Sequence, residues 1–191
     1  MMIFKSKLVL LRHSEPKSFP GPWIQPHNNP ISEKGNEQAN KVSNSLKGKN
    51  IASIYSSPFT RALQTAEIIG KSLGLEVKVK EDLKERVQGD LENQSLSEEQ
   101  INNLWKEFEK FKTLSLEKQW ISRPFPGFET DEELLERTLN CLEDISQDNI
   151  NKVVLIVTHA SLIKTLLIHL GKVSLEDRDK FNVKINEIIE I

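Results

Sequence analysis

The sequence is poor in cysteine, in net charge and in long apolar runs. A single cysteine, Cys141, excludes an internal disulfide framework and a cysteine-rich zinc site, and it fits a reducing compartment. The 26 Lys and Arg residues nearly balance the 28 Asp and Glu residues, which argues against nucleic-acid or membrane-surface binding along the whole chain. The first 16 residues lack the long apolar region of a signal peptide, and their apolar run is too short to cross a bilayer. We therefore expect a cytoplasmic protein that binds neither nucleic acid nor membranes.

Short apolar runs alternate with helical patterns along much of the chain. Four runs lack a helical period: residues 8–11, 51–57, 75–79 and 152–159. Such runs are typical of strands covered on both faces. The helical pattern after the second run begins at Pro58, with Ser57 as the expected N-cap. The alternation predicts an α/β fold, a three-layer sandwich with helices on both faces of a mostly parallel sheet, in one domain over residues 1–191.

The middle of the chain interrupts this alternation between about residues 93 and 128. Ser97 and Gln100 have the spacing of a capping box and predict a helix there. We expect this segment to be a helical lid inserted over the end of the sheet. Near the C-terminus, the alternation of Phe181, Val183 and Ile185 predicts a last strand.

Unusual polar residues follow the predicted strands. Arg12 and His13 come directly after the first run, Arg61 lies in the first turn of the helix after the second, and His159 follows the last. The carboxyl ends of parallel strands form the edge of a sheet where ligands bind. Two guanidinium groups and two imidazoles at one edge suit a tetrahedral dianion, and phosphate is the obvious candidate. His27, His169 and Cys141 do not share this pattern and are read as structural residues.

The motifs LVLLRHSEP, SSPFTRALQTAE, LKERVQGDLE and VLIVTHASLI occur in the order typical of one family. On these motifs the chain resembles the histidine phosphatase superfamily, the phosphoglycerate mutase-like proteins. The resemblance implies that His13 is the nucleophile that accepts the phosphoryl group. It also implies that Arg12, Arg61 and a cationic His159 bind the phosphate, and that His159 belongs to the catalytic set. Because side chains supply the positive charge, the resemblance implies no metal and no other cofactor.

The general acid is assigned by the same resemblance. Glu85 stands in the segment that normally carries the acid, which protonates the leaving oxygen and later activates water. Since this carboxyl must be protonated in the first half-reaction, we expect an acidic pH optimum. Four nearby carboxylates are alternatives with weaker support: Glu81, Asp82, Asp90 and Glu92.

The chain departs from the family pattern just after the nucleophile. Ser14 replaces the usual glycine and is expected to add a donor near the phosphate, whereas Pro16 removes a hydroxyl and a backbone N–H. Phe19 and Trp23 lie in the Pro-rich loop over residues 16–30. These aromatic residues either contact the substrate or pack the loop on itself, and the sequence favours neither.

These observations predict a phosphomonoesterase that needs no metal and forms a phosphohistidine on His13. The expected substrate is a small phosphorylated metabolite such as a sugar phosphate, a phosphoglycerate or a nucleotide-derived phosphate. Phosphoglycerate mutase activity is one alternative, although the chain carries no long shielding tail after His159. A catalytically weak phospho-ligand binding or scaffold protein is the other. The sequence indicates no oligomeric state.

Overall fold

A computed structural model describes residues 4–18, 26–92 and 96–191, so Phe19 and Trp23 lie outside the described residues. Its sheet has the strand order β3-β2-β4-β1-β5. The strands are β1 (Lys7–Arg12), β2 (Ile51–Ser56), β3 (Val77–Val79), β4 (Val153–Thr158) and β5 (Ile188–Glu190). Strands β1 to β4 are parallel, and β5 pairs antiparallel with β1 at the edge. The carboxyl ends of β1, β2 and β4 therefore meet at one edge of the sheet.

Six helices surround the sheet within the described ranges. They are α1 (Glu33–Leu46), α2 (Thr60–Leu73), α3 (Glu98–Lys112), α4 (Leu116–Ile121), α5 (Asp131–Gln147) and α6 (Ala160–His169). Strand side chains alternate between two faces. Val9 and Leu11 pack with α1 and α2, whereas Leu8 and Leu10 pack with α5 and α6. The predicted three-layer α/β architecture is confirmed.

Two boundaries differ from the sequence-based expectation. Helix α2 begins at Thr60 and not at Pro58, because the Ser57 hydroxyl accepts a hydrogen bond from the Phe59 N–H and the chain stays extended at Phe59. The last strand is β5, not the stretch from Phe181 to Ile185. That stretch precedes a turn at Asn186, whose φ of 59° ends any extended run. Asparagine tolerates this left-handed conformation better than most residues.

The two ends of the inserted segment meet through a close backbone contact. Helix α3 begins at the predicted capping box, with Ser97 and Gln100 forming both reciprocal hydrogen bonds. At the base of the insertion, Gly89 has a φ of 63°, and a Cβ there would lie 2.7 Å from the Gly127 carbonyl carbon. Gln88 also bridges to Phe128. Both ends of the insertion are thus held together near the carboxyl edge of the sheet. In the described part of the chain, the helices are too short or too polar to cross a membrane.

Candidate active site

Backbone hydrogen bonds tie the ends of three strands together at the candidate site. The N–H of His13, just past β1, donates to the Thr158 carbonyl at 3.0 Å, and the N–H of Ser57, just past β2, donates to the Val157 carbonyl at 3.0 Å. His159 then begins the turn into α6. Side chains that follow β1, β2 and β4 are therefore fixed on one rigid edge, as the sequence predicts.

His13 is held as a neutral imidazole with one defined nucleophilic nitrogen. Its Nδ1–H donates to the Ser14 carbonyl at 2.7 Å, which leaves the lone pair on Nε2. The Arg61 Nε–H donates to that Nε2 at 3.3 Å. Burial lowers the pKa of His13 to about 3, and the charges of Arg61 and Arg12 act in the same direction. The imidazole is only 4% exposed and carries no proton on Nε2 near neutral pH.

Two guanidinium groups act on this imidazole: Arg61 by direct contact with Nε2 and Arg12 through its charge. Burial lowers the pKa of Arg61 to about 10, and Glu85 opposes that shift. Burial also lowers the pKa of Arg12, against the opposing charges of Glu85 and Glu187. Arg12 donates to the Val183 carbonyl through Nη1, and its buried Nε has no partner among the described residues. Both side chains remain cations at neutral pH and suit a dianionic ligand.

His159 is fully buried beside His13, with 5.2 Å between the ring centroids. Its Nε2 lies 2.7 Å from the Ser57 hydroxyl, and its buried Nδ1 has no partner among the described residues. Burial lowers the pKa of His159 well below its usual value, and the neighbouring His13, Arg61 and Arg12 add to the effect. This imidazole is therefore neutral here, in contrast to the expected cation.

The Glu85 carboxylate interacts electrostatically with both arginines. Its Oε1 accepts from the Arg86 N–H at 2.9 Å and its Oε2 from the Ser161 N–H at 3.3 Å, in the first turn of α6. Its negative charge raises the pKa of both Arg12 and Arg61. Glu85 therefore partly offsets the positive charge of the two arginines.

The alternative carboxylates have other partners where they are described. Glu81 pairs with Lys84 on the surface, and Glu92 pairs with His27 at 3.2 Å. Asp82 is exposed, and the side chain of Asp90 lies outside the described part. Of the candidates whose side chains are described, Glu85 is the one whose charge acts on both Arg12 and Arg61.

Ser14 is expected to donate to the phosphate, but its polar groups have other partners in the structure. Its hydroxyl donates to Asn186 Oδ1 at 2.8 Å, and its N–H donates to Thr65 Oγ1 at 3.0 Å. The side chain is fully buried. The hydroxyl proton is thus already engaged, so the geometry gives no support to Ser14 as a phosphate donor. Its carbonyl instead orients His13.

Three residues that position the site were missed from the sequence. Ser57 contacts His159, Asn186 holds Ser14, and Arg137 donates to the carbonyls of Lys84 and Glu85 at 3.1 Å each. The Ser57 and Asn186 contacts join residues 102 and 172 positions apart, so no local spacing reveals them. For Ser57 the SSP segment carries a signal, although the sequence pattern predicts a helix cap there. Within the described ranges, no three His, Cys, Asp or Glu side chains converge as a metal site requires.

Comparison with known proteins places this geometry in one family. The model of the histidine phosphatase superfamily (branch 1) matches residues 8–191. The chain is 33% identical to the uncharacterized phosphatase PhoE of Bacillus subtilis over 72% of its own length, and that alignment spans 63% of the relative, less than two thirds. It is 30% identical to a probable phosphoglycerate mutase, GpmB, of Photorhabdus laumondii, over 84% of this chain and 73% of that one.

A solved structure gives the same assignment. A phosphoserine phosphatase variant from Entamoeba histolytica, in complex with phosphoserine, is 28% identical and superposes with a TM-score of 0.75. The superposition covers 97% of this chain and 89% of that one. The chain belongs to the histidine phosphatase superfamily.

Proposed function

We propose that this protein is a metal-independent phosphomonoesterase that forms a phosphohistidine on His13 Nε2. One observation carries the proposal: a buried, neutral imidazole presents its Nε2 lone pair to the Arg61 guanidinium, within the electrostatic influence of Arg12 and with its other nitrogen bonded to a carbonyl. A neutral imidazole is a nucleophile near pH 7, and the neighbouring cations neutralise the charge of a phosphoryl group. The single buried Cys141 is consistent with a cytoplasmic location.

The first half-reaction transfers the phosphoryl group to the protein. The Nε2 lone pair of His13 forms a bond to phosphorus as the ester P–O bond breaks. Glu85 must be protonated for this step, and it gives its proton to the leaving oxygen, which departs as an alcohol. Arg12 and Arg61 hold the equatorial oxygens, so the spreading negative charge meets fixed cations in a water-poor site.

The second half-reaction hydrolyses the phosphohistidine. Water attacks phosphorus while the Glu85 carboxylate takes its proton, and the P–N bond breaks to return the lone pair to His13. Inorganic phosphate leaves, and Glu85 is again protonated. The sum is one ester and one water converted to one alcohol and one phosphate.

His159 supports the phosphoryl group through its free nitrogen. The Ser57 hydroxyl oxygen already accepts from the Phe59 N–H at 3.2 Å, so its own proton points to His159 Nε2. That arrangement puts the imidazole proton on Nδ1, the nitrogen without a partner among the described residues. An Nδ1–H donor to a phosphate oxygen satisfies this buried group.

The similar proteins support phosphoester chemistry. We infer that the substrate is a small phosphorylated metabolite. The phosphoserine complex of the Entamoeba histolytica structure favours a ligand of this size. The mutase name of the Photorhabdus relative supports transfer between two hydroxyls as the second candidate. Both reactions share the phosphohistidine and differ in whether water or a second alcohol receives the group.

Phosphoenzyme trapping and a metal-free assay test the proposal. Hydrolysis of phosphomonoesters is measured with a chelator present, beside His13→Ala and the exposed control His169→Ala. We expect His13→Ala to lose at least 1,000-fold in kcat, an order-of-magnitude loss typical of a removed nucleophile, and to trap no acid-labile phosphoenzyme. Activity that survives this substitution refutes the mechanism. Phosphoryl exchange between phosphoglycerate isomers in excess of hydrolysis supports the mutase instead.

A further inference from the structure

A cavity of about 250 Å³ lies under the inserted segment. Seven of its ten lining side chains are apolar or aromatic, among them Leu104 and Phe108 of α3 and Phe125 of the loop after α4. Its volume is below the range of about 300–1,000 Å³ of sites for drug-sized molecules. The cavity therefore suits a compact organic group.

The cavity adjoins the proposed general acid. Arg86 and Ser161 both line it, and the backbone N–H groups of these two residues hold the two oxygens of Glu85. The acid must reach the oxygen of the leaving alcohol. The rest of that alcohol therefore extends from Glu85 toward this cavity.

Few polar groups in the cavity are free to bind hydroxyls. The Arg86 guanidinium donates to the Glu129 carbonyl at 2.7 Å, forms an ion pair with Asp131 and lies over the Phe128 ring. Among the described residues, the Gln88 amide and the Ser161 hydroxyl form no side-chain hydrogen bond, so these two can receive a ligand. A sugar or other polyol would bury several hydroxyl groups against aromatic rings, and each unpaired group costs about 1–3 kcal/mol.

We propose that this cavity binds the alcohol half of the substrate and selects an apolar alkyl or aryl group over a polyhydroxylated one. The proposal rests on the proposed phosphatase function, since it assigns the leaving-group side of the same site. It narrows the sequence-based expectation, which included sugar phosphates and phosphoglycerates. The insertion then acts as a lid that sets specificity, while the strand ends carry out the chemistry.

A series of straight-chain alkyl phosphates tests the proposal. Ethyl, butyl and hexyl phosphate have leaving alcohols of nearly equal acidity, so their kcat/KM values report binding of the chain and not leaving-group chemistry. Each buried methylene is expected to raise kcat/KM about fourfold. From ethyl to hexyl, four added methylenes give a rise on the order of 250-fold, and glycerol phosphate is expected to be slower than butyl phosphate. Equal values along the series, or faster glycerol phosphate, overturn the proposal.

A pair of variants links the preference to the cavity. Leu104→Ser adds a hydroxyl to the lining, whereas Ile121→Ser changes an exposed residue of α4 that does not line it. We expect the hexyl-to-ethyl ratio to fall at least tenfold in Leu104→Ser and to stay unchanged in Ile121→Ser. A ratio that stays high in Leu104→Ser with normal helicity by circular dichroism overturns the proposal.

If Leu104→Ser disturbs the lid, inhibition of the unaltered protein tests the same cavity without a substitution. The inhibition constants of ethyl, butyl and hexyl phosphonate, which cannot be hydrolysed, should fall along the series. Inhibition constants that are equal refute the apolar site. The two proposals fail differently: if no ester is turned over and no phosphoenzyme forms, the phosphatase function is refuted, whereas turnover without a chain-length effect refutes only the apolar cavity.

Discussion

Mild acid should destabilise the protein because two imidazoles are buried in the neutral state. The pKa of His13 is lowered to about 3, and that of His159 lies well below its usual value. The unfolded chain therefore binds protons at these groups near pH 6.5, while the folded chain does not. Stability supplied by the neutral imidazoles is complete above pH 6.5 and is lost as the pH falls toward the folded-state values.

The size of the effect follows from the usual histidine value. Between about pH 7.5 and about pH 5.5, each buried imidazole lowers the free energy of unfolding by about 1.4 kcal/mol, and the pair by about 2.8 kcal/mol. The result needs only folded-state values well below the test pH, so it does not depend on how far below they lie. Glu190, whose pKa is lowered to about 2 by Lys49 and Lys7, adds acid sensitivity only below the usual carboxyl range.

Urea unfolding at a series of pH values, followed by circular dichroism, measures this slope. His13→Gln and His159→Gln are each expected to remove about half of the change between about pH 7.5 and about pH 5.5, whatever they do to stability at neutral pH. Exposed His169→Gln serves as the control and should keep the full slope. A free energy of unfolding that is flat over this interval refutes the burial of neutral imidazoles at the site.

Three further substitutions have defined outcomes. Ser57→Ala leaves the His159 imidazole without its hydroxyl partner. We expect kcat, measured by steady-state kinetics, to fall about 10-fold or more. The free energy of unfolding, measured by urea titration, should fall by about 1–3 kcal/mol. Arg137→Lys removes contacts that hold the segment carrying Glu85. The kcat for alkyl phosphates should therefore fall more than the kcat for p-nitrophenyl phosphate, whose leaving group needs no acid. Equal decreases for the two substrates contradict this role of Arg137. Gly70→Ala places a Cβ 2.6 Å from the Leu75 carbonyl oxygen. The cost of this overpacking, about 1–3 kcal/mol, should outweigh the gain in helix propensity and lower the melting temperature. A higher melting temperature for Gly70→Ala contradicts that reasoning.

The residues that could be predicted from the sequence lie in short segments at strand ends. His13 and His159 follow apolar runs whose pattern alone predicts strands, and parallel strands bring their carboxyl ends together. The partners of these residues could not be predicted. Asn186 reaches Ser14 through the fold, and a turn there replaces the strand that the alternating tail indicated.

The charge of His159 shows why a motif does not determine a protonation state. The family motif implies a cation, yet the imidazole is fully buried among Arg12, Arg61 and His13, and each of these lowers its pKa. A phosphate dianion bound beside His159 would add a negative charge, which acts on its pKa in the direction opposite to the guanidinium groups. We therefore expect binding to favour proton uptake by His159. Burial is the main reason that His13 is an uncharged nucleophile, and the arginines that add to this effect would become counter-ions of the substrate. On this reasoning, the site would have a neutral nucleophile before binding and an additional cation for the transferring phosphoryl group afterwards.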